Sequence, residues 1–476
     1  MKLRELLPNC KNLCFDTEIS SITSDSRKVT EGSAFVCIKG PSVDGHDFAK
    51  SAAEKGAAVI ICEKDLGLSN QIIVEDTRSL FAEMCATWFG NPAKSMKIIG
   101  ITGTNGKTST TYMLKTIIEA AGHKCGLIGT IQNMIGDEVI PAKNTTPGIY
   151  ELSDLFAQMR DKGCEYVLME VSSHALDQDR VKGINFEAAV FTNLTQDHLD
   201  YHGTMDNYLE AKKKLFRMCK TAVINADDDY TEKLLNGLTC KIVTYSTSSD
   251  NATYTAKNIN YRADGLEYEF VGYNTICRMR VKTGGKFTVY NSMAATICAM
   301  ELGFSINDAA EALGKMEGVK GRAEVYPTGR DFTVIIDYAH TPDGLKNILR
   351  AFYGCKRGRL VALFGCGGDR DRTKRPIMGE VACSYADYVI VTSDNPRSEE
   401  PSLIIEDILE GMKNTSTPYE VIENRGEAIK FAIENAQKDD IIVLAGKGHE
   451  TYQILKDGTI HFDEREVIAQ VLENLK

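Results

Sequence analysis

The run Gly103-Thr104-Asn105-Gly106-Lys107-Thr108-Ser109 follows an apolar stretch at 98–101 and precedes Met113, Leu114, Ile117, Ile118 and Ala121 at helical spacing. Between a strand and a helix, such glycines let backbone N–H groups wrap phosphate oxygens, and the helix N-terminus adds positive potential. Lys107 is placed to reach the terminal phosphates, and Thr108 to ligate Mg²⁺. The spacing is not the standard G-x-x-x-x-G-K-[ST]: Ile101 stands five before Gly106, and the nearest glycines are Gly100 and Gly103. The strand, Gly-Lys-Thr and helix context still points to bound ATP rather than to a ligand-free turn.

Two more groups of residues carry chemistry. Glu170 with Ser172-Ser173-His174, and Thr192-Asn193 with 197–202, stand at the ends of apolar runs. In an open parallel sheet ligands lie beyond the carboxyl ends of strands, so Glu170 and His198 are expected to face the phosphates. Oxygen ligands and a neutral imidazole there suit Mg²⁺. Taken alone, Asp197-His198 reads as a capped helix start, and the three lysines 212–214 as a solvated helix face. Towards the C-terminus, 337–342, 365–371, 394–397 and 446–450 each follow an apolar run. Four loops rich in glycine or charge build one polar rim, and arginines on it suit bidentate capture of carboxylates.

The elements that must position these groups follow from periodicity. Short strands are expected at 34–38, 58–61 and 71–74, with a helix at about 47–55, forming a small α/β domain closed by a linker at 89–92. Strands at 98–101, 166–169, 188–191 and 222–224 with helices between them read as a mostly parallel sheet. Alternating strands at 254–281 and a helix at about 291–302 come next. Strands at 332–336, 360–364, 388–391 and 441–444 make a third α/β unit, so the boundaries are set at 1–94, 95–324 and 325–476. A chain of 476 residues fits several domains at roughly 100–200 residues each.

Composition narrows the function classes. With 43% hydrophobic and 25% charged residues and no biased tract, the chain is folded rather than disordered. The start MKLRELLPNCKNLC lacks a sustained apolar core, and no stretch reaches the ~18 apolar residues of a membrane span, so a cytoplasmic protein without membrane contact is expected. Fourteen scattered cysteines without CxxC pairs read mostly as reduced core thiols. A net charge of -11 argues against nucleic acid as a partner.

Taken together, these motifs resemble the Mur ligase family over essentially the whole chain, most closely its MurE type, which adds the third residue of the cell-wall peptide. The resemblance implies three domains: one for a UDP-sugar, a central P-loop ATPase domain, and a Rossmann-like C-terminal domain that brings the amino acid. It implies ATP-dependent ligation through an acyl phosphate, with ATP and Mg²⁺ as cofactors. The implied partners are UDP-N-acetylmuramoyl-L-alanyl-D-glutamate and meso-diaminopimelate, handled by a monomer.

By position, Gly103, Thr104, Asn105, Gly106, Lys107, Thr108, Ser109, Asn291 and Arg322 correspond to nucleotide contacts. Ser26, Asn144, Thr145, Thr146, Ser172, Gln178 and Arg180 correspond to contacts with the UDP-muramoyl-dipeptide. Arg370, Asp394, Asn395, Pro396, Arg397, Gly446 and Glu450 correspond to contacts with the amino acid. The resemblance makes Lys107, Lys212, Glu170 and His198 catalytic, with the metal held by Thr108, Glu170, His198 and Lys212 as a carbamate. That revises the solvated-face reading for Lys212 alone. Arg397 matches the members that add diaminopimelate, because a second carboxylate needs a cationic fork and lysine offers none. Ligation of L-lysine and a folylpolyglutamate-type ligase are the alternatives. Thr288, where asparagine is frequent, and Ala323, where methionine is common, depart from the pattern.

Overall fold

The computed structural model describes residues 1–8, 13, 15–40, 43–262, 265–354 and 356–475. They form two compact units. The first comprises Met1–Gly100, His123–Glu187 and Met218–Lys220, and the second Ile101–Gly122, Ala188–Arg217 and Thr221–Lys476.

In the first unit, the strands Ser21–Thr23, Ser33–Val36, Val59–Cys62 and Gln71–Ile73 pair in that order, all parallel. Alternate side chains go to opposite faces of such a sheet, so a run buried throughout means that both faces are covered. Ala34, Val36, Val59 and Ile61 pack with Leu3, Leu6, Phe81 and Met84, while Phe35, Ile60 and Cys62 pack with Val29, Ala49 and Ala52. The expected helix at 47–55 is a 3₁₀ turn, Gly45–Phe48, running into Ala49–Glu54. The expected linker at 89–92 ends the helix Thr77–Trp88 and enters another 3₁₀ turn, Pro92–Ser95.

The same unit holds the parallel pair Cys125–Ile128 and Tyr166–Glu170. Two antiparallel strands, Gln132–Ile135 and Glu138–Pro141, extend it. Sequence periodicity missed the segment 125–141 because Gly126 interrupts its first strand and Gln132 and Asn133 open its second. That glycine is structural: a Cβ there would collide with Met159 of the helix Ile149–Asp161.

In the second unit, residues 221–225, Lys241–Ser246 and Tyr254–Arg262 are parallel neighbours, and Gly265–Gly272 and Thr275–Val281 add antiparallel strands. The helix expected from 291 starts earlier, as Lys286–Glu301. It packs on the helix Lys107–Ala120, whose Met113, Leu114, Ile117 and Ile118 are buried as expected. Ala121 is a correction: it follows the last turn and is exposed. The solvated-face reading of the three lysines also fails more widely than the resemblance implied. On the helix Met205–Phe216, Lys213 is buried as well as Lys212, its Nζ donating to the Lys233 carbonyl at 2.9 Å.

The C-terminal six-stranded sheet has the order Glu324–Tyr326, Thr333–Asp337, Ile441–Ala445, Leu360–Phe364, Tyr388–Val391, Tyr419–Val421. All pairs but the first are parallel. The helices Pro342–Tyr353, Lys374–Tyr385 and Pro401–Glu410 cover one face, and Arg425–Glu434 and Glu464–Asn474 the other. Parallel strands put their carboxyl ends on one edge, so the four loops named from sequence share a rim.

Of the eleven described cysteines, all are free and seven are buried, in keeping with core thiols; Cys10, Cys14 and Cys355 lie outside the described residues. Burial pushes the Cys37 thiol up to about 12. Among the described residues no helix is long and apolar enough to cross a membrane.

Candidate functional site

The phosphate loop of the second unit is fixed by close backbone approach. Gly103 takes φ +149° and a Cβ there would overlap the Thr192 hydroxyl; Gly106 takes φ +87° beneath the Asn291 side chain. Both approaches demand glycine. Polar partners hold the tip between them. Asn105 N–H donates to Asn193 Oδ1 at 2.9 Å, and its carbonyl accepts from Thr192 Oγ1 at 2.6 Å and Asn193 Nδ2 at 3.1 Å. Asn105 Nδ2 donates to Asp343 Oδ2 at 2.9 Å. Thr192 and Asn193 thus serve as struts of the loop.

Lys107 Nζ folds onto the Gly103 and Thr104 carbonyls, each at 2.8 Å. Lys212 Nζ shares the Gly103 carbonyl at 3.0 Å and lies 4.4 Å from the Tyr208 ring centroid. Burial, and then the Lys107 charge, hold the Lys212 amine well below the ordinary lysine value. The structure therefore brings Lys107 and Lys212 together. His198, with φ +54°, caps the short helix Leu199–His202 and lies 3.4 Å from Asp197 Oδ2. Burial raises the Asp197 carboxyl, but His198, His340 and Lys374 outweigh it and bring the group to about 2.

Arg322 stacks its guanidinium 4.6 Å from the Tyr338 ring centroid and donates to Thr108 Oγ1 at 3.0 Å. A cleft lined by Ser109, Met113, Phe287, Thr288, Val319 and Arg322 opens beside the loop helix. The Thr288 hydroxyl donates to the Gly284 carbonyl at 2.8 Å. Ala323 takes φ +48° with its N–H on Asp337 Oδ2 at 2.7 Å. Among the described residues no three His, Cys, Asp or Glu side chains converge as a metal site. A divalent ion here would need the Thr108 oxygen, His198, phosphate and a modified Lys212. The donor set fits Mg²⁺ only if Lys212 becomes an anion, because a bare ammonium repels the ion.

The rim of the C-terminal sheet nests four loops on glycines. A Cβ on Gly365 would strike the Thr392 carbonyl, on Gly368 the Pro396 carbonyl, and on Gly446, at φ +118°, the Asp394 carboxylate at 2.5 Å. Arg397 Nη1 donates to the Gly368 carbonyl at 2.8 Å and more weakly to that of Asn395 at 3.4 Å, which anchors its fork. Arg370 is exposed, with Nη1 on the Asp369 carbonyl at 3.0 Å. Glu450 is buried and its Oε2 accepts from Lys447 Nζ at 2.7 Å and Asn395 Nδ2 at 2.9 Å. The rim thus brings Asp394, Asn395, Pro396, Arg397, Gly446 and Glu450 together.

The first unit gathers another set. Thr146 Oγ1 donates to the Glu170 carbonyl at 2.8 Å and accepts from Ser172 N–H at 3.0 Å. Arg180 donates to the Thr146 carbonyl at 3.0 Å and to Gln178 Oε1 at 3.0 and 2.6 Å. Ser172 caps the helix Ser173–Asp177, accepting from Ala175 N–H at 3.2 Å. The Glu170 carboxylate is fully buried and accepts from Thr130 N–H at 3.0 Å and Thr130 Oγ1 at 2.9 Å. Thr145 meets the same Thr130 hydroxyl at 3.1 Å, and Asn144 is exposed beside them. Ser26 sits on another loop, after Ser21–Thr23, its carbonyl accepting from Lys55 at 2.8 Å.

Sequence reasoning did not assign Asp343, Tyr338 or Lys447. Tyr338 gave no signal apart from its loop, and Asp343, in the first turn of the helix Pro342–Tyr353, gave none. Lys447 did: a Gly-Lys pair directly after a strand, in Gly446-Lys447-Gly448-His449.

Comparison with known proteins agrees with this layout. Residues 18–85 match the profile described as Mur ligase family, catalytic domain, residues 101–299 match Mur ligase middle domain, and residues 321–448 match Mur ligase, glutamate ligase domain. A Clostridium botulinum protein named UDP-N-acetylmuramoyl-L-alanyl-D-glutamate--2,6-diaminopimelate ligase is 49% identical over 96% of each chain. The Clostridium acetobutylicum protein of that name numbered 1 is 46% identical over 100% of each. A solved structure of a UDP-N-acetylmuramoyl-L-alanyl-D-glutamate--2,6-diaminopimelate ligase superimposes with a TM-score of 0.73 at 33% identity, covering 100% of this chain and 99% of the other. With its phosphate loop, its rim of four loops and this end-to-end likeness, the chain belongs to the Mur ligase family of ATP-dependent, amide-bond-forming ligases.

Proposed function

We propose that the enzyme joins meso-diaminopimelate to UDP-N-acetylmuramoyl-L-alanyl-D-glutamate in the cytoplasm, as a monomer, during synthesis of the peptidoglycan precursor. The observation that carries this reading is the end-to-end likeness to ligases named for that pair of substrates, in a chain whose rim bears Arg397. The work is divided among 1–94 for the UDP end, 95–324 for ATP and 325–476 for the amino acid.

Phosphoryl transfer here is a matter of position and charge, with no side-chain nucleophile. The loop N–H groups and Lys107, released from the Gly103 and Thr104 carbonyls, cradle the phosphates. An oxygen of the peptide carboxylate attacks the γ-phosphorus and ADP leaves. The amino group of diaminopimelate then attacks the acyl carbon, phosphate departs with the C–O electron pair, and the amide nitrogen loses a proton. Mg²⁺, when bound, neutralises phosphate charge; Thr108, His198 and Lys212 as a carbamate would hold it. The lowered pKa favours the neutral Lys212 amine, the form that adds CO₂ and releases a proton. At the rim, Arg397 pairs with the distal carboxylate of diaminopimelate and Glu450 accepts from its ammonium. Arg180, Gln178, Ser172 and Thr146 hold the dipeptide end, and Ser26 the uridine end.

The test is ADP release with ATP, Mg²⁺ and the UDP-linked dipeptide, comparing meso-diaminopimelate, L-lysine and no amino acid, with the product confirmed by mass. Turnover with diaminopimelate alone is expected. Turnover with lysine alone would overturn the role of Arg397, and no ligated product with either would overturn the substrate assignment.

A further inference from the structure

Lys447 follows the strand Ile441–Ala445 and its side chain has no exposure to solvent. Its Nζ donates to Asn395 Oδ1 at 3.0 Å and Glu450 Oε2 at 2.7 Å, with Asp394 Oδ1 at 3.9 Å and the Tyr452 ring centroid at 5.3 Å. An ammonium only donates, so the Asn395 atom it meets must be the oxygen. That oxygen also accepts from Ile454 N–H at 2.9 Å, which turns Asn395 Nδ2 onto Glu450 Oε2 at 2.9 Å. Lys447 and the Ile454 N–H therefore set the orientation of the amide together, and Lys447 with Asn395 Nδ2 sets the place of the carboxylate.

A charge taken out of water needs compensation, and here Asp394 and Glu450 supply it. The converse also holds: without Lys447 the two carboxylates would face each other with no cation between them. Arg397 anchors its fork on the Gly368 and Asn395 carbonyls, whereas Lys447 meets Asn395 through its side chain.

We propose that Lys447 is a positioning residue for the amino-acid substrate: it holds Glu450 and Asn395 so that the carboxylate meets the substrate's ammonium group in one orientation. This inference rests on reading the rim as the amino-acid site. Lys447 acts through Glu450 and Asn395 and does not touch the substrate.

The test compares wild type with K447M, measuring separate KM values for meso-diaminopimelate, ATP and the UDP-linked dipeptide, together with kcat and thermal unfolding. Loss of a charged hydrogen bond at the pocket predicts a rise in KM for diaminopimelate of roughly tenfold or more, with the other two KM values within about twofold. A lower melting temperature with equal rises in all three KM values would assign Lys447 a structural role only and overturn the proposal. Should K447M not fold, K447Q, which keeps an N–H donor without the charge, is expected to raise the same single KM by less; an unchanged KM would overturn the proposal. Wild type that ligates no diaminopimelate would sink the reading of the rim and this inference with it, whereas ligation with an unaltered KM in K447M would sink this inference alone.

Discussion

Lys212 and Lys107 direct their Nζ atoms at one carbonyl oxygen, that of Gly103, and of the two only Lys212 is fully enclosed. The Lys212 pKa in the folded protein lies below its ordinary value of 10.5. Between those two values the unfolded chain binds more protons than the folded one, so folding stability increases with pH across that window and falls as pH drops towards the folded pKa. In CO₂-free buffer, the melting temperature of wild type is expected to gain on that of K212M as pH rises towards 10.5. Parallel profiles would show that the burial penalty is absent. At the rim, R397A is expected to raise KM for diaminopimelate by about ten- to a hundredfold, the loss of one charged hydrogen bond or more. R397K should recover only part, because an ammonium lacks the planar fork. Steady-state kinetics with each variant checks both.

Glycines decide how neighbouring elements meet. Gly106 opens the helix Lys107–Ala120 at φ +87°, and a Cβ there would press into Asn291 on the helix Lys286–Glu301. G106A is expected to lose nucleotide binding and to cost about 1–3 kcal/mol in urea unfolding. Pairing it with N291A should restore only the part due to collision, since the left-handed backbone remains strained. Helix ends are simpler. Asp76 Oδ1 accepts from Ser79 N–H at 2.9 Å at the start of Thr77–Trp88, so D76A should cost about 1 kcal/mol, read from the same unfolding curves.

Across the whole molecule, the nucleotide machinery belongs to the second unit and the small four-stranded sheet to the first. A ligand that binds only the native state stabilises what it touches. Saturating ADP is therefore expected to slow amide hydrogen exchange in 101–122 and 188–217. Exchange in Ser33–Val36 and Val59–Cys62 should stay unchanged. Equal protection everywhere would mean that nucleotide binding is coupled to global opening instead. With a net charge of -11, a polyanionic ligand must be held by local cations, and Lys107, Arg180, Arg322 and Arg397 are the ones proposed for that role.

How much could be read in advance differs by type of feature. The strands 360–364 and 388–391 were legible to the residue, because runs buried on both faces are continuous in sequence. The phosphate loop was legible because a tight strand-to-helix turn allows few residue types. The strands Cys125–Ile128 and Gln132–Ile135 were not, since Gly126 interrupts the first and two amides, Gln132 and Asn133, open the second. By itself the sequence determined the α/β class and the order of the chemical motifs, both properties of local pattern. Only the tertiary structure decided that Lys213 is buried beside Lys212, that Asp343 clasps Asn105 and that Lys447 lies under Glu450. Those facts depend on which distant segments close over a side chain, and burial of a charge is written in its neighbours rather than in the residue.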